Sequence, residues 1–175
     1  MANVTLDKVH SSLFFQVKHM MVSRAKGEFK DFDVDFQGDF NDLENAKVKV
    51  VIKADSINTN NADRDGHLKS ADFFDVENYP EATFESTSVV KVGEDEYEVA
   101  GNMTIKDVTR QETFKVTFNG LAKDPMQGKT IAGADLEGKI NREDYGLTWN
   151  AALETGGVLV GKEVKITGSF EFVVE

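Results

Sequence analysis

The sequence predicts an all-β fold of about eight antiparallel strands, and three observations carry that prediction. Apolar residues recur with a period of two rather than 3.6. The connections between apolar runs are mostly short and rich in turn residues. Only one stretch, residues 60–76, abandons the alternation.

The first strand is set by Leu13, Phe15 and Val17, which alternate with Ser12, Phe14, Gln16 and Lys18. Parity therefore turns Phe15 inward and Phe14 outward or under the crossing segment. Phe32, Val34 and Phe36 form the second, with Asp31, Asp33 and Asp35 on its other side. Phe29 breaks that parity, which predicts a bulge or bend near Lys30. Val48, Val50 and Ile52 mark the third strand, and Phe84 anchors the fourth, around 82–90. Tyr97, Val99, Met103 and Ile105 share one face of the fifth. Phe114, Val116 and Phe118 do so in the sixth, and Leu136 and Ile140 mark the seventh. Val164, Ile166, Phe170 and Phe172 make the eighth. Residues 93–96 and Lys106-Asp107 are predicted as hairpin turns. In 60–76, Leu68, Phe73 and Phe74 lie among Arg, Lys and Asp without alternation, and Pro80 ends the excursion. One or two short helical turns crossing the end of the sheet fit that pattern. No linker or repeat divides the chain, so residues 1–175 are read as one domain. Eight antiparallel strands pack as a sandwich or close as a barrel, and periodicity alone does not choose between them.

Composition narrows the chemistry. Thirteen Phe against one Trp and three Tyr supply large apolar area with no polar handle. With no Cys, disulfides, thiolate metal sites and a Cys nucleophile are excluded. The net charge of −11 is expected to repel phosphate backbones and anionic lipid head groups, which argues against nucleic acid as a partner. No apolar run reaches the roughly 20 residues of a membrane helix, so no integral membrane association is expected. The stretch Met1 to Asp7 has neither basic residues ahead of an apolar run nor such a run, and the expectation is a cytoplasmic protein, exported if a leader has been removed. A homodimer is left open.

Three local patterns approach known sites and fall short. Residues 156–163 nearly spell a phosphate-binding loop, but Glu163 stands where the magnesium-binding Ser or Thr belongs, and a strand pattern follows instead of a helix. Residues 61–72 nearly spell a calcium loop, but Lys69 takes a ligand position and Asp72 is shorter than the bidentate Glu. His10, His19 and His67 lack close metal-ligand spacing, so no metal is expected. Asp7, His10 and Ser11 are residue types of a hydrolytic triad, yet no Gly-x-Ser-x-Gly elbow is present.

Four ordered blocks resemble the YceI-like family. The first is Asp7-x-x-His10-Ser11 with Phe15-x-Val17-x-His19-Met20-Met21 and Gly27-x-Phe29. The second is Arg64-Asp65-x-His67-Leu68-x-Ser70-x-Asp72-Phe73-Phe74-Asp75, with Tyr79-Pro80 and Phe84-x-Ser86-Thr87. The third is Gly101-Asn102-Met103-Thr104-Ile105 with Val108-Thr109, where Asp107 replaces a frequent Gly. The last is residues 140–147 with Val160-Gly161-x-x-Val164. The resemblance spans about Val4 to Phe172 and implies an eight-stranded antiparallel lipocalin-like β-barrel with a short helical segment near 60–76. It also implies a long internal pocket for a polyisoprenoid, an isoprenoid quinone-like molecule or a fatty-chain lipid, held for transport, storage or sensing. No enzyme activity and no cofactor are implied.

A tunnel for such a chain should be lined by side chains with no unpaired polar atoms. Candidates for the apolar wall are Leu13, Phe15, Val17, Phe29, Phe84, Val99, Met103, Ile105, Phe114, Val116 and Ile140. Candidates for the ligand's head group are His19, Arg64, His67 and Arg142. Two other readings stay open here: a barrel filled by its own side chains, and a small hydrolase acting on a lipid-like substrate. For Arg64 and Arg142 the competing role is a salt bridge to a neighbouring Asp.

Overall fold

The computed structural model describes residues 3–151, 153 and 157–175. Among them, eleven strands join one antiparallel sheet: β1 (Val4–Leu6), β2 (Ser12–His19), β3 (Ser23–Phe29), β4 (Phe32–Asp39), β5 (Asp42–Lys53), β6 (Ile57–Asn58), β7 (Glu81–Gly93), β8 (Glu96–Ile105), β9 (Val108–Lys123), β10 (Thr130–Asn141) and β11 (Val160–Val174). The ladder runs β4-β5-β7-β8-β9-β10-β11-β2-β3-β6, and β1 pairs with the far end of β11. One short helix, α1 (Ala62–Lys69), lies between β6 and β7. No helix of the described residues is long and apolar enough to cross a membrane.

The sheet curls so that β4, at one end of the ladder, comes over β11. Phe32 and Phe36 on β4 approach Phe170 and Phe172 on β11 with ring centres 5.9 and 6.2 Å apart, although those strands are distant in the ladder. β1 lies against β4 and fills one end of the seam. At the other end the chain turns a corner at Lys30-Asp31. There the Lys30 N–H donates to the Ser56 carbonyl at 3.2 Å, and the Lys53 N–H donates to the Asp31 carbonyl at 2.9 Å. The bend expected from the misplaced Phe29 is this corner. It separates two strands, and Phe29 closes the first of them.

Alternation sets the core. In β4, Phe32, Val34 and Phe36 are buried while Asp33 and Asp35, like Asp31 just before the strand, are exposed, so one strand separates apolar interior from acidic surface. Both hairpins form where expected, with Asp95 and Lys106 taking positive φ of 58° in the turns. The count of eight strands is corrected to eleven because β1, β3 and β6 are added. β6 has two residues and β1 three, too short for periodicity to register. β3 hides its inward face behind small residues, Ala25 and Gly27, with Phe29 its only large apolar side chain. Gly27 is small of necessity, because a Cβ there would collide with the Phe15 ring across the ladder.

The inward side chains divide the barrel lengthwise. At one end Phe36 and Phe40 stack at 4.2 Å, and Phe40 reaches Phe118 at 5.7 Å and Phe172 at 5.9 Å. That end is solid. The other end, beneath α1, is hollow.

Gly101 on β8 tests how tightly the wall is built. A Cβ at this position would meet the Glu85 carbonyl oxygen of the neighbouring strand and lie 2.7 Å from the Phe84 ring. Backbone cannot give way as a flexible side chain does. Gly101→Ala is expected to destabilise by about 1–3 kcal/mol, read from the urea midpoint. An unchanged midpoint would contradict this packing.

Candidate functional site

The hollow end encloses a cavity of about 540 Å³, within the range of small-molecule pockets. Its wall comes from the inward faces of β2, β3, β5, β7, β8, β9, β10 and β11, and its rim from α1 and the segments beside it. The rings on the wall are held by one another. Phe15 meets Phe29 at 5.5 Å, Phe29 meets Phe74 edge-on at 5.9 Å, and Phe84 meets Phe114 edge-on at 5.2 Å.

Of the apolar residues named from sequence, Leu13, Phe15, Val17, Phe29, Phe84, Met103, Ile105, Phe114 and Ile140 line this cavity. Val99 and Val116 do not. Both have inward parity but stand nearer the filled end: Val99 precedes Met103 and Ile105 of the cavity on β8, and Val116 lies between Phe114 of the cavity and Phe118 of the filled end on β9. Parity reports the side of a strand and carries no information about height along the barrel. Phe14 has the opposite parity and is 45 % exposed, although it too borders the cavity.

All four polar candidates also line the cavity, at its open end. His19 is half-buried at the last residue of β2. The His67 Nε2 lies 3.0 Å from the Asp72 carboxylate, and its ring packs edge-on against Trp149 at 4.6 Å and Phe73 at 5.1 Å. Neither arginine makes an ion pair among the described residues; both are held by neutral oxygens. The Arg64 Nε donates to the Thr59 hydroxyl at 2.8 Å and its Nη2 to the Thr59 carbonyl at 2.7 Å. Arg142 is only 4 % exposed. Its Nε donates to the Gly161 carbonyl at 2.7 Å and its Nη2 to that of Val160 at 3.2 Å. Its Nη1 donates to the carbonyls of Leu147 and of Trp149, the latter at 3.0 Å. Burial pushes the Arg142 guanidinium below its ordinary pKa, and neighbouring Glu143 opposes that shift. Of its five N–H donors, one on Nη2 has no carbonyl partner in this set.

These bonds position the rim. Arg142 ties Leu147 and Trp149 to the start of β11, and Asn150 adds two bonds to Val160. Trp149 is thereby laid against His67 and Phe73 over the opening. Sequence reasoning missed Trp149, Phe73, Phe74 and Leu68, all of which line the cavity. The lone Trp seven residues after Arg142 was the available signal.

The near-motifs resolve into structural roles. In 61–72, the Asn61 side chain caps α1 by accepting from the Arg64 N–H at 3.0 Å, and Asp65 accepts from the Thr59 N–H at 2.9 Å. With Asp72 turned to His67, these oxygens are dispersed around separate partners. Gly156 lies outside the described residues, and β11 follows the remaining glycine-rich stretch. The Ser11 hydroxyl donates to the Asp7 carbonyl at 2.7 Å and accepts from the Glu171 N–H at 3.0 Å, so it is committed to backbone and not aimed at His10. The His10 Nδ1 sits 2.8 Å from Asp7 and 3.3 Å from Glu171, pinning the turn after β1 to β11.

A hollow antiparallel β-barrel with an apolar interior and a polar rim is the class of protein these features define. The chain belongs to the YceI-like family, matching its domain over residues 4–172. The UPF0312 protein SA2479 of Staphylococcus aureus is 50% identical over 174 residues, 99% of each chain. The crystal structure of Burkholderia cenocepacia BcnA superposes with a TM-score of 0.80 at 24% identity, covering 95% of this chain and 98% of that one. A polyisoprenoid binding domain from Saccharophagus degradans, implicated in plant cell wall breakdown, gives 0.76 at 17% identity with 100% of both chains covered.

Two outcomes follow. Arg142→Met removes the guanidinium donor from four carbonyls, of which only that of Val160 keeps another among the described residues, from Asn150, and is expected to cost at least about 2 kcal/mol, with a red shift of Trp149 emission as the rim loosens. Arg142→Lys should fall between, because one ammonium cannot reach the same carbonyls. Parent-like midpoint and emission for Arg142→Met would contradict the assignment. The hydrogen bond from Asp7, with the charges of Asp7 and Glu171, raises the His10 pKa above 6.5. A raised folded-state pKa stabilises fully below the unfolded value and loses that contribution as pH climbs through the folded one. His10→Gln should therefore lower the melting temperature more near pH 6 than near pH 9, and an equal loss at both would rule this linkage out.

Proposed function

We propose that the barrel holds one long-chain apolar or amphiphilic molecule, an isoprenoid or fatty-chain lipid, with its tail in the cavity and its head group among His19, Arg64, His67 and Arg142. It carries, stores or senses this molecule and does not convert it. The observation that carries the reading is a hollow of about 540 Å³ walled by Phe, Leu, Ile, Met and Val in a chain whose opposite end is packed solid with the same residue types. A fold that needed only a core would fill both ends, since empty apolar space forfeits contacts. Each methylene taken from water contributes about 0.8 kcal/mol, so a long tail supplies ample driving force even after the entropy of association is subtracted. The polyisoprenoid binding domain among the similar folds supports the same class of ligand.

The non-enzymatic half of the reading is supported by Ser11 and His10, whose polar atoms are engaged elsewhere and form no nucleophile–base pair. The four head-group candidates suit recognition: two imidazoles and two guanidinium groups at the rim of an apolar hollow.

Val17 lies on the wall in mid-strand and decides between hollow and core. Val17→Trp is expected to abolish binding of a fluorescent fatty-chain probe while the urea midpoint stays within about 1 kcal/mol of the parent, because a real cavity accepts the added ring. A parent protein that does not bind the probe, together with a larger loss of stability in the variant, would sink the proposal and make the interior an ordinary core.

A further inference from the structure

The overall charge of −11 argues against contact with anionic lipid, but net charge says nothing about where the charges sit. The outward faces of β2, β3, β10 and β11 gather Lys18, Arg24, Lys139, Lys162 and Lys165 around one depression, with Glu163 the one acidic residue among them. The ladder makes the grouping. Lys18 pairs across to Arg24, Lys139 to Lys165, and Lys165 to Gln16 on β2. All five cations are exposed. Lys139 and Lys162 reach glutamates only loosely, at 3.6 and 3.7 Å, and the other three make no ion pair among the described residues.

Beside this basic face stands an apolar tip. The β2–β3 turn is Met20-Met21-Val22, with exposures of 46, 53 and 87 %. Met20 and Met21 both hold positive φ, 53° and 66°, where Gly, Asn or Asp relieve strain. Three consecutive exposed apolar residues, two of them in a conformation that disfavours them, are poor choices for a turn that only reverses the chain. The tip is also joined to the cavity's opening. His19, on the rim, directly precedes it, and the Met20 N–H donates at 2.8 Å to the carbonyl of Leu159, another cavity residue.

The geometry points to a docking surface for an anionic lipid bilayer: the Met20-Met21-Val22 tip enters the head-group layer, the β2/β3/β10/β11 cations contact lipid phosphates, and the cavity opening faces the membrane. The cations complement lipid phosphates and the adjoining apolar tip complements the layer beneath them, whereas the acidic outer face of a second copy would meet the cations and leave Met20, Met21 and Val22 unmatched. At about 0.1 M salt the Debye length is about 10 Å, so acidic groups on the far strands act weakly at the contact, where Lys18, Arg24 and Lys165 make no ion pair among the described residues and Glu163 and Glu143 offset Lys139 and Lys162. The surface gives a lipid a route into the cavity without passing through water, and in that respect it rests on the reading of the barrel as a lipid holder. Bilayer contact itself is measured separately.

The experiment is co-sedimentation of the full chain with phosphatidylglycerol vesicles and with phosphatidylcholine vesicles, at 0.1 M and 1 M NaCl. Binding is expected to phosphatidylglycerol alone and to fall at high salt. Lys18→Gln and Lys165→Gln should each lower partitioning about fivefold, the equivalent of about 1 kcal/mol per cation at such a surface. Met20→Ser/Met21→Ser should lower it too, with melting temperature unchanged because both side chains are exposed. No sedimentation with phosphatidylglycerol, equal sedimentation with both lipids, or indifference to the charge substitutions would overturn the proposal. So would a concentration-dependent dimer in sedimentation velocity that the methionine substitutions abolish, since the tip would then belong to a second copy. Titrating the same variants with the fatty-chain probe in vesicle-free buffer keeps the two readings apart: a parent that sediments with vesicles but binds no probe refutes the ligand reading and leaves the docking surface standing.

Discussion

The open end of the barrel depends on one buried guanidinium. Residues 147–150 cross the rim outside the ladder, so the carbonyls of Leu147 and Trp149 have no strand to accept from. Carbonyls in a half-buried rim must still be satisfied. Arg142 meets the need with a planar fork whose donors diverge toward Leu147, Trp149, Val160 and Gly161. The positive charge is hydrogen-bonded by carbonyl dipoles rather than by a carboxylate, with Glu143 acting on it only through space. Placement of Trp149, shape of the opening and polarity of the rim all follow from that choice.

The two ends of the barrel use the same alternation to opposite effect. At the closed end, rings on β4, β9 and β11, together with Phe40 just past β4, reach across the axis and stack. At the open end, rings lean against neighbours along the wall, as Phe15 does on Phe29 and Phe84 on Phe114. Gly27 lets Phe15 lie flat along the wall, because no side chain on β3 pushes it inward. Whether an inward Phe fills or lines is thus decided by what stands opposite it in the ladder.

Much of this was legible in the residues. Alternation placed Phe15 inward and Phe14 outward, the misplaced Phe29 marked the corner, and the broken period at 60–76 marked the helical crossing. The barrel and its pocket came from resemblance to a family, since eight alternating strands fit a sandwich equally well. Other features were hidden for physical reasons. β3 carries one large apolar residue, too little to register as a strand. Val99 and Val116 have the right parity at the wrong height. Trp149 lies between the last two strands read from the sequence, on neither of them, and Arg142's bonds bring it to the rim. The basic face is invisible in a net charge of −11, because its members come from four strands that adjoin only once the register is known.

β11 pairs with β10, with β2 and, at its far end, with β1, and it is the last strand of the barrel in sequence. The first two strands therefore wait for the final one. While the chain emerges from the ribosome, the β11-facing edge of β2 has no partner until well over a hundred further residues have been made, and an unpaired edge is where strands join the wrong neighbour. The β4–β5 hairpin and the β7-β8-β9-β10 meander close through local turns in the meantime. Closure is then a single late event that joins the chain's beginning to its end, the kind of long-range pairing that makes β-topologies slow to fold. For a nascent chain of this kind, vulnerability to misassembly is concentrated in the interval between the appearance of β2 and the release of β11.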